Sequence, residues 1–344
     1  MIKSYFVMRF SHPHNNYQLV PTRTSSYQLA CVVRCSARES AQSASGDASR
    51  RMTREESVED WSRIHNVDQR SSSVRFEHDA LKWASTRARE GAGRLAHDAC
   101  ALSDRRAGRV VEVQQRGSSS AEFEPGTSTV IWPLSTPVAT AFCDATLAHG
   151  RAVVGAAGAP SRAETCKLAD ALVVTEHTRV LELGAGLGLL GLVLARLGAK
   201  RVTLTDDNLT LLAENVSRSG DENAVAERLR WASPRGGRTW DDVCARADAY
   251  VTANDGQKPH LIIGTDLLYS LSEHTARALA ATASRFADEH TTILIAYEDR
   301  GNWGQVGSFF DYAEEFGLFG DATPFGGDND DWLMIRLRKR PRDA

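Results

Sequence analysis

Glu182-Leu-Gly184-Ala-Gly186-Leu-Gly188-Leu-Leu-Gly191 is the segment whose residue types and spacing point most directly to chemistry. An apolar run, Arg179-Val-Leu181, leads into it and another follows. Glycines so spaced let the backbone take positive φ and approach a ligand closely. The helix that must come next offers N–H groups with no partner of their own. Downstream, Val202-Thr-Leu-Thr-Asp206 ends in a carboxylate placed to accept hydrogen bonds from a ribose. The chemistry is nucleotide binding, and two classes of nucleotide are open. Gly186-Leu-Gly188-Leu-Leu-Gly191 fits the dinucleotide pattern G-x-G-x-x-G, so a nicotinamide-dependent oxidoreductase is one reading. Glu182 argues against it, because a carboxylate there repels a pyrophosphate seated on a helix start. It suits a ligand carrying positive charge, such as a sulfonium with an α-amino group. A dinucleotide fold also usually opens with this strand, whereas here 178 residues precede Arg179.

The elements that must position these residues alternate. Strands are expected at 179–183, 201–205, near 228–231, at 260–264 and at 292–297. Helices are expected at 187–197, 209–218, 273–287 and 306–316, with a further one at 240–247 inside a polar insertion, 233–258. Gly198 stops the first of these helices, and Asp207 or Asn208 caps the second. Strand-helix alternation implies a mainly parallel sheet covered on both faces. Strands near Leu318 and at 332–337 have no clear helix between them, so the last one is expected to be an antiparallel edge strand. Upstream, Thr129-Val-Ile-Trp132 reads as extended, Pro133 as a turn, and 137–149 as a helix. Residues 162–172 also read as helical. The fold class is therefore α/β, a doubly wound, mainly parallel seven-stranded sheet.

Taken in order, Ile131-Trp132-Pro133, Leu181–Leu190, Thr203-Leu-Thr-Asp206, Asn215, Leu229-Arg-Trp231 and Ile263-Gly-Thr-Asp-Leu-Leu-Tyr269 resemble the seven-strand methyltransferases that use S-adenosylmethionine. Within that class the series is similar to the small protein-lysine methyltransferases, which include those acting on valosin-containing protein and Hsp70. The resemblance covers residues 128–317. It implies that Gly184, Ala185 and Gly186 line the methionine half of the cofactor, beside Glu182 as the acid suited to its positive charge, and that Asp206 holds the ribose. It further implies that Trp231 packs near the adenine, that Trp132 covers the cofactor from the N-terminal side, and that Thr265 touches it from a strand end. Asp266 and Tyr269 become the catalytic pair on the substrate side. Methyl transfer needs a neutral amine lone pair held close to the methyl carbon, yet a lysine ammonium has a pKa of about 10.4. Asp266 would orient the amine and help its proton leave, and Tyr269 would shape an aromatic channel for the alkylammonium. A histidine or small-molecule acceptor, and a catalytically idle cofactor-binding module, are the alternatives.

Composition narrows the rest. The 344 residues are 42% hydrophobic and 25% charged with net charge −3, which excludes nucleic-acid binding by bulk electrostatics. Six scattered cysteines form no CxxC, and the histidines form no HExxH, so no metal is expected. Residues 1–38 hold five Lys or Arg and no Asp or Glu. That is a transit-like composition, so residues 1–50 are read as a disordered or targeting extension. Residues 51–127 are read as a poorly defined extension with one apolar stripe, Val58, Trp61, Ile64 and Val67, and 128–344 as the catalytic domain. Phe309-Phe310 reads as core, and Tyr297–Arg300 either as lining of the substrate mouth or as a surface salt-bridge cluster. The expected protein is a cytoplasmic monomer, or plastid or mitochondrial if residues 1–38 are a transit peptide. Its expected partner is a lysine-bearing protein, with no nucleic acid and no membrane.

Overall fold

The computed structural model describes residues 6–8, 19–21, 73–81, 84, 110–115, 130–153, 167–268, 273–299, 303–325 and 332–341. Tyr269, Arg300 and the Val58–Val67 stripe lie outside the described residues. Near the N-terminus a short antiparallel pair joins β1 (Phe6–Met8) to β2 (Leu19–Pro21). A second pair joins β3 (Ser73–Glu77) to β4 (Val110–Gln114), also antiparallel. Helices α1 (Ser135–Val153) and α2 (Lys167–Ala171) follow.

The alternating part then runs β5 (Arg179–Leu183), α3 (Leu189–Arg196), β6 (Arg201–Asp206), α4 (Thr210–Ser219), β7 (Ala224–Arg228), α5 (Arg238–Ala253), β8 (Leu261–Thr265), α6 (Glu273–Phe286), β9 (Thr292–Glu298), α7 (Trp303–Glu315), β10 (Leu318–Pro324) and β11 (Trp332–Lys339). Seven strands form one sheet in the order β10-β11-β9-β8-β5-β6-β7. The pairs from β7 to β9 are all parallel. The final strand is antiparallel, as expected, but it slots between β9 and β10 and leaves β10 at the edge. The winding reverses between β5 and β8, and at such a reversal the loops diverge and open a crevice at the strands' carboxyl ends.

Successive residues on a strand face opposite sides, and the buried residues sort accordingly. Val180, Leu261, Ile263 and Leu294 pack under α1, α3 and α4. Leu181, Ile262, Ile293 and Ile295 pack under α5, α6 and α7. Every residue of β5 is buried, Glu182 included, and its apolar residues Val180, Leu181 and Leu183 serve both faces of the sheet. Phe309 lies in the second layer and is fully buried, with Phe310 packed against it.

Four expectations shift. The third parallel strand is 224–228 and not 228–231: Leu229 to Trp231 leave the sheet and enter the crevice wall. The half-exposed strand Ala-Val-Ala-Glu-Arg carries a weaker apolar signal than Leu-Arg-Trp. The described part of the expected extended segment, 130–132, joins no sheet and bends directly into α1. Tyr297 and Glu298 are buried on β9 and not on the surface. β3 and β4, inside the segment read as an extension, bury Phe76, Val111 and Val113 in the same core as α3. Among the described residues no helix is long and apolar enough to cross a membrane.

Candidate active site

A cleft of about 680 Å³ opens at the carboxyl ends of β5 and β8, where the winding reverses. Its floor is the glycine turn. Gly184, Gly186 and Gly188 have φ of 63°, 55° and 85°, a left-handed backbone that side chains with a Cβ disfavour. Close approach matters as well at Gly184. A Cβ there would lie 2.6 Å from Leu267 Cδ2 and 3.2 Å from Trp231 Cζ2. The turn is pinned from β6. Thr205 O accepts a hydrogen bond from Ala185 N–H at 2.9 Å, and Asp206 Oδ2 accepts one from Gly186 N–H at 3.0 Å. Asp206 Oδ1 accepts from Asn208 N–H at 3.0 Å. Burial raises the Asp206 pKa, while the backbone N–H groups of Asn208, Gly186 and Asp207 partly offset that rise. The bonds leave acceptor capacity on both oxygens of a residue that lines the cleft.

The opposite side comes from β8 and the residues before α1. Asp266 is buried at 4% exposure and adopts φ 56°. Its N–H donates to Ala296 O at 2.9 Å, and its Oδ2 accepts from Leu134 N–H at 3.4 Å. Thr265 and Ser135 share a hydroxyl hydrogen bond of 3.2 Å. These two contacts fix the start of α1 against the end of β8 and hold Trp132 over the cleft.

Of the sequence-predicted residues, Trp132, Gly184, Gly186, Asp206, Trp231, Thr265 and Asp266 line this one cleft. Ala185 and Glu182 do not. Ala185 turns its side chain toward the core. Glu182 is 2% exposed beneath α3, where a Cβ on Gly191 would meet its Oε2 at 2.5 Å. The alternation of β5 puts that side chain on the α3 face of the sheet, with Val180. Oε2 has no hydrogen-bond partner among the described residues. Burial pushes the Glu182 carboxyl up to about 8, with the Asp206 charge adding and the Gly191 N–H opposing. Sequence reasoning missed Arg230, Ser233 and Thr239, on the loop after β7 and the start of α5, and His274 and Thr275 in the first turn of α6. The available signal was positional, since the segments that follow parallel strands ring such a crevice.

The cleft matches an adenosyl sulfonium. The narrow floor admits only backbone at Gly184, Asp206 presents acceptors, and the Trp231 ring offers an apolar face. A family model described as lysine methyltransferase matches residues 130–316. No curated protein matches the chain. Solved structures similar to it include a TehB-like S-adenosylmethionine-dependent methyltransferase from Corynebacterium glutamicum. That one is 18% identical, covers 59% of this chain and 99% of its own, and has a TM-score of 0.36. Another is the N-methyltransferase NodS from Bradyrhizobium japonicum in complex with S-adenosyl-L-homocysteine. It is 14% identical, covers 47% of this chain and 78% of its own, and has a TM-score of 0.33. Likenesses this distant add nothing to the family match.

Proposed function

The chain belongs to the lysine methyltransferase family, and from that premise we propose that it methylates the side-chain nitrogen of a lysine in a protein. It is a methyltransferase, and its cofactor is S-adenosylmethionine. When bound, that cofactor supplies an electrophilic methyl group on sulfur. One observation carries the reading further. A single cleft brings Gly184, Asp206 and Trp231 together with Asp266, so the acceptor carboxylate faces the same space as the cofactor wall.

In this reading Asp206 holds the ribose hydroxyls, Trp231 packs on the adenine and Trp132 covers the cofactor from the other wall. Gly184 and Gly186 let the backbone approach the methionine half. Glu182, from beneath the turn, supplies a carboxyl and not a direct contact. Asp266 accepts a hydrogen bond from the lysine amine, turns its lone pair toward the methyl carbon and eases the proton away. Its positive φ is a cost of the kind met at functional positions, with strain of about 1–3 kcal/mol held by surrounding bonds. Tyr269 would complete the channel around the alkylammonium. The unit that carries the activity is 128–344 with the β3–β4 pair added.

The test is transfer of a labelled methyl group by the full chain to proteins of a lysate, followed by acid hydrolysis. Label in N-methyl-lysine is expected. Label confined to methyl-histidine or to small molecules would overturn the lysine assignment and leave the cofactor assignment standing.

A further inference from the structure

β4 is not part of the seven-stranded sheet, and side chains fasten it to the cofactor cleft. At its start, Arg196 on α3 donates to the Val110 carbonyl while pairing with Asp221 at 3.1 Å. At its end, both backbone groups of Gln114 meet one side chain. Gln114 N–H donates to Asn215 Oδ1 at 2.7 Å, and Asn215 Nδ2 donates back to Gln114 O at 3.1 Å. The same Nδ2 donates to Leu187 O at 3.0 Å, inside the glycine turn. Asn215 lies on α4 and is fully buried. One residue beyond β4, the buried Gln115 accepts through Oε1 a hydrogen bond of 3.3 Å from Ile131 N–H. Ile131 immediately precedes Trp132.

These bonds form a continuous chain from Leu187 through Asn215, Gln114 and Gln115 to Ile131. It joins the two walls of the cleft by way of a strand outside the sheet. Asn215 spends one acceptor and both amide hydrogens on it, so only an amide satisfies the site. An aspartate lacks the donors, and an apolar residue leaves buried backbone groups unpaired. The tether holds the Leu187 end of the glycine turn, beyond the Ala185 and Gly186 groups that Thr205 and Asp206 pin. We propose that Asn215 and Gln115 are positioning residues of the cofactor cleft, holding the glycine turn and the Trp132 segment in register through β4. The N-terminal strand pair thereby sets cofactor affinity, an inference that rests on the cofactor reading above.

Calorimetric titration of the full chain with S-adenosylhomocysteine tests this on Gln115→Ala, Asn215→Ala and the double variant. Leu172→Ala serves as control, since Leu172 is buried in the same core and does not line the cleft. Each single variant should raise Kd about tenfold. The double should be no worse than about the weaker single, because both cut one chain. Leu172→Ala should lower Tm without moving Kd. Unchanged Kd in the folded Gln115 and Asn215 variants would overturn the proposal, as would an equal loss in Leu172→Ala. If Asn215→Ala does not fold, Gln115→Ala decides alone. Failure of the unaltered protein to bind would instead refute the cofactor reading and take this inference with it.

Discussion

The two walls of the cleft are built by different means. The glycine-turn wall, from β5 to β6, is fixed mostly by backbone: parallel ladders, left-handed glycines and the Thr205 carbonyl, with the side chains of Asp206 and Asn215 as added pins. The Trp132 wall belongs to no sheet. It is held by a few side-chain bonds: Gln115 to Ile131, Asp266 to Leu134, and Ser135 to Thr265. A backbone-built wall fails when a side chain intrudes on it. A wall built on side-chain bonds loosens by degrees as they are removed.

Gly184→Val should have the largest effect. Its branched side chain must adopt φ 63° and enter space held by Leu267 and Trp231. Left-handed strain and overpacking together cost about 3 kcal/mol. Calorimetry should find no cofactor binding, and urea unfolding should show the stability loss. Retained affinity would mean that this wall yields as easily as the other.

Asp206→Ala and Asp266→Ala compare the walls by function. The first removes the proposed ribose acceptor and should weaken cofactor binding about 100-fold, as expected for hydrogen bonds to a charged group. The second should leave most affinity intact and cut methyl transfer sharply. It should also lower stability by about 1–3 kcal/mol, because Leu134 N–H loses a buried partner. Titration and turnover measured on the same preparations separate the two, and equal loss of binding would collapse the division of roles.

The same division governs what could be read from the chain. Strands β5, β6, β8 and β9 were legible within a residue or two at each end, because buried parallel strands are short apolar runs with sharp ends. The positions of Asp206 and Asp266 at the crevice were legible too, since strand ends in this topology face it. β3 and β4 were not legible. Their five-residue alternations, Ser-Val-Arg-Phe-Glu and Val-Val-Glu-Val-Gln, sit among many charged residues. Burial of Val111 and Val113 depends on α3, which lies far along the chain. Asn215 showed in sequence only as part of a family pattern. Its bond to Gln114 spans 101 residues, a tertiary fact without local trace.

Glu182→Gln probes the backbone-built wall from beneath. The folded state keeps a proton on this carboxyl up to about 8, whereas the ordinary value is 4.5. Between those values the folded chain binds a proton that the unfolded chain has released, so stability falls as pH rises toward 8 and levels off above it. An amide has no proton to lose. The variant should flatten this slope, with little change near the unfolded value and a gain in stability that grows as pH rises toward about 8. Urea unfolding across pH checks it. A parallel slope in the variant would show that Glu182 is already ionised in the folded protein.

The smallest effect is expected at the rim. Arg228 and Arg230 both pair with Asp207, at 3.2 and 2.8 Å, and all three side chains are about half exposed or more. The paired arginines hold the Asp207 carboxyl below its ordinary value, but water and salt screen such pairs, so their bonds hold the fold only weakly. Arg230 also lines the cleft beside Trp231. Arg230→Ala should therefore shift Tm by less than about 2 °C and Kd for S-adenosylmethionine by less than about threefold. A larger loss of affinity at unchanged Tm would place Arg230 in the adenosine wall. That wall would then depend on one side chain more, and the contrast with the Trp132 side would narrow to the glycine turn itself.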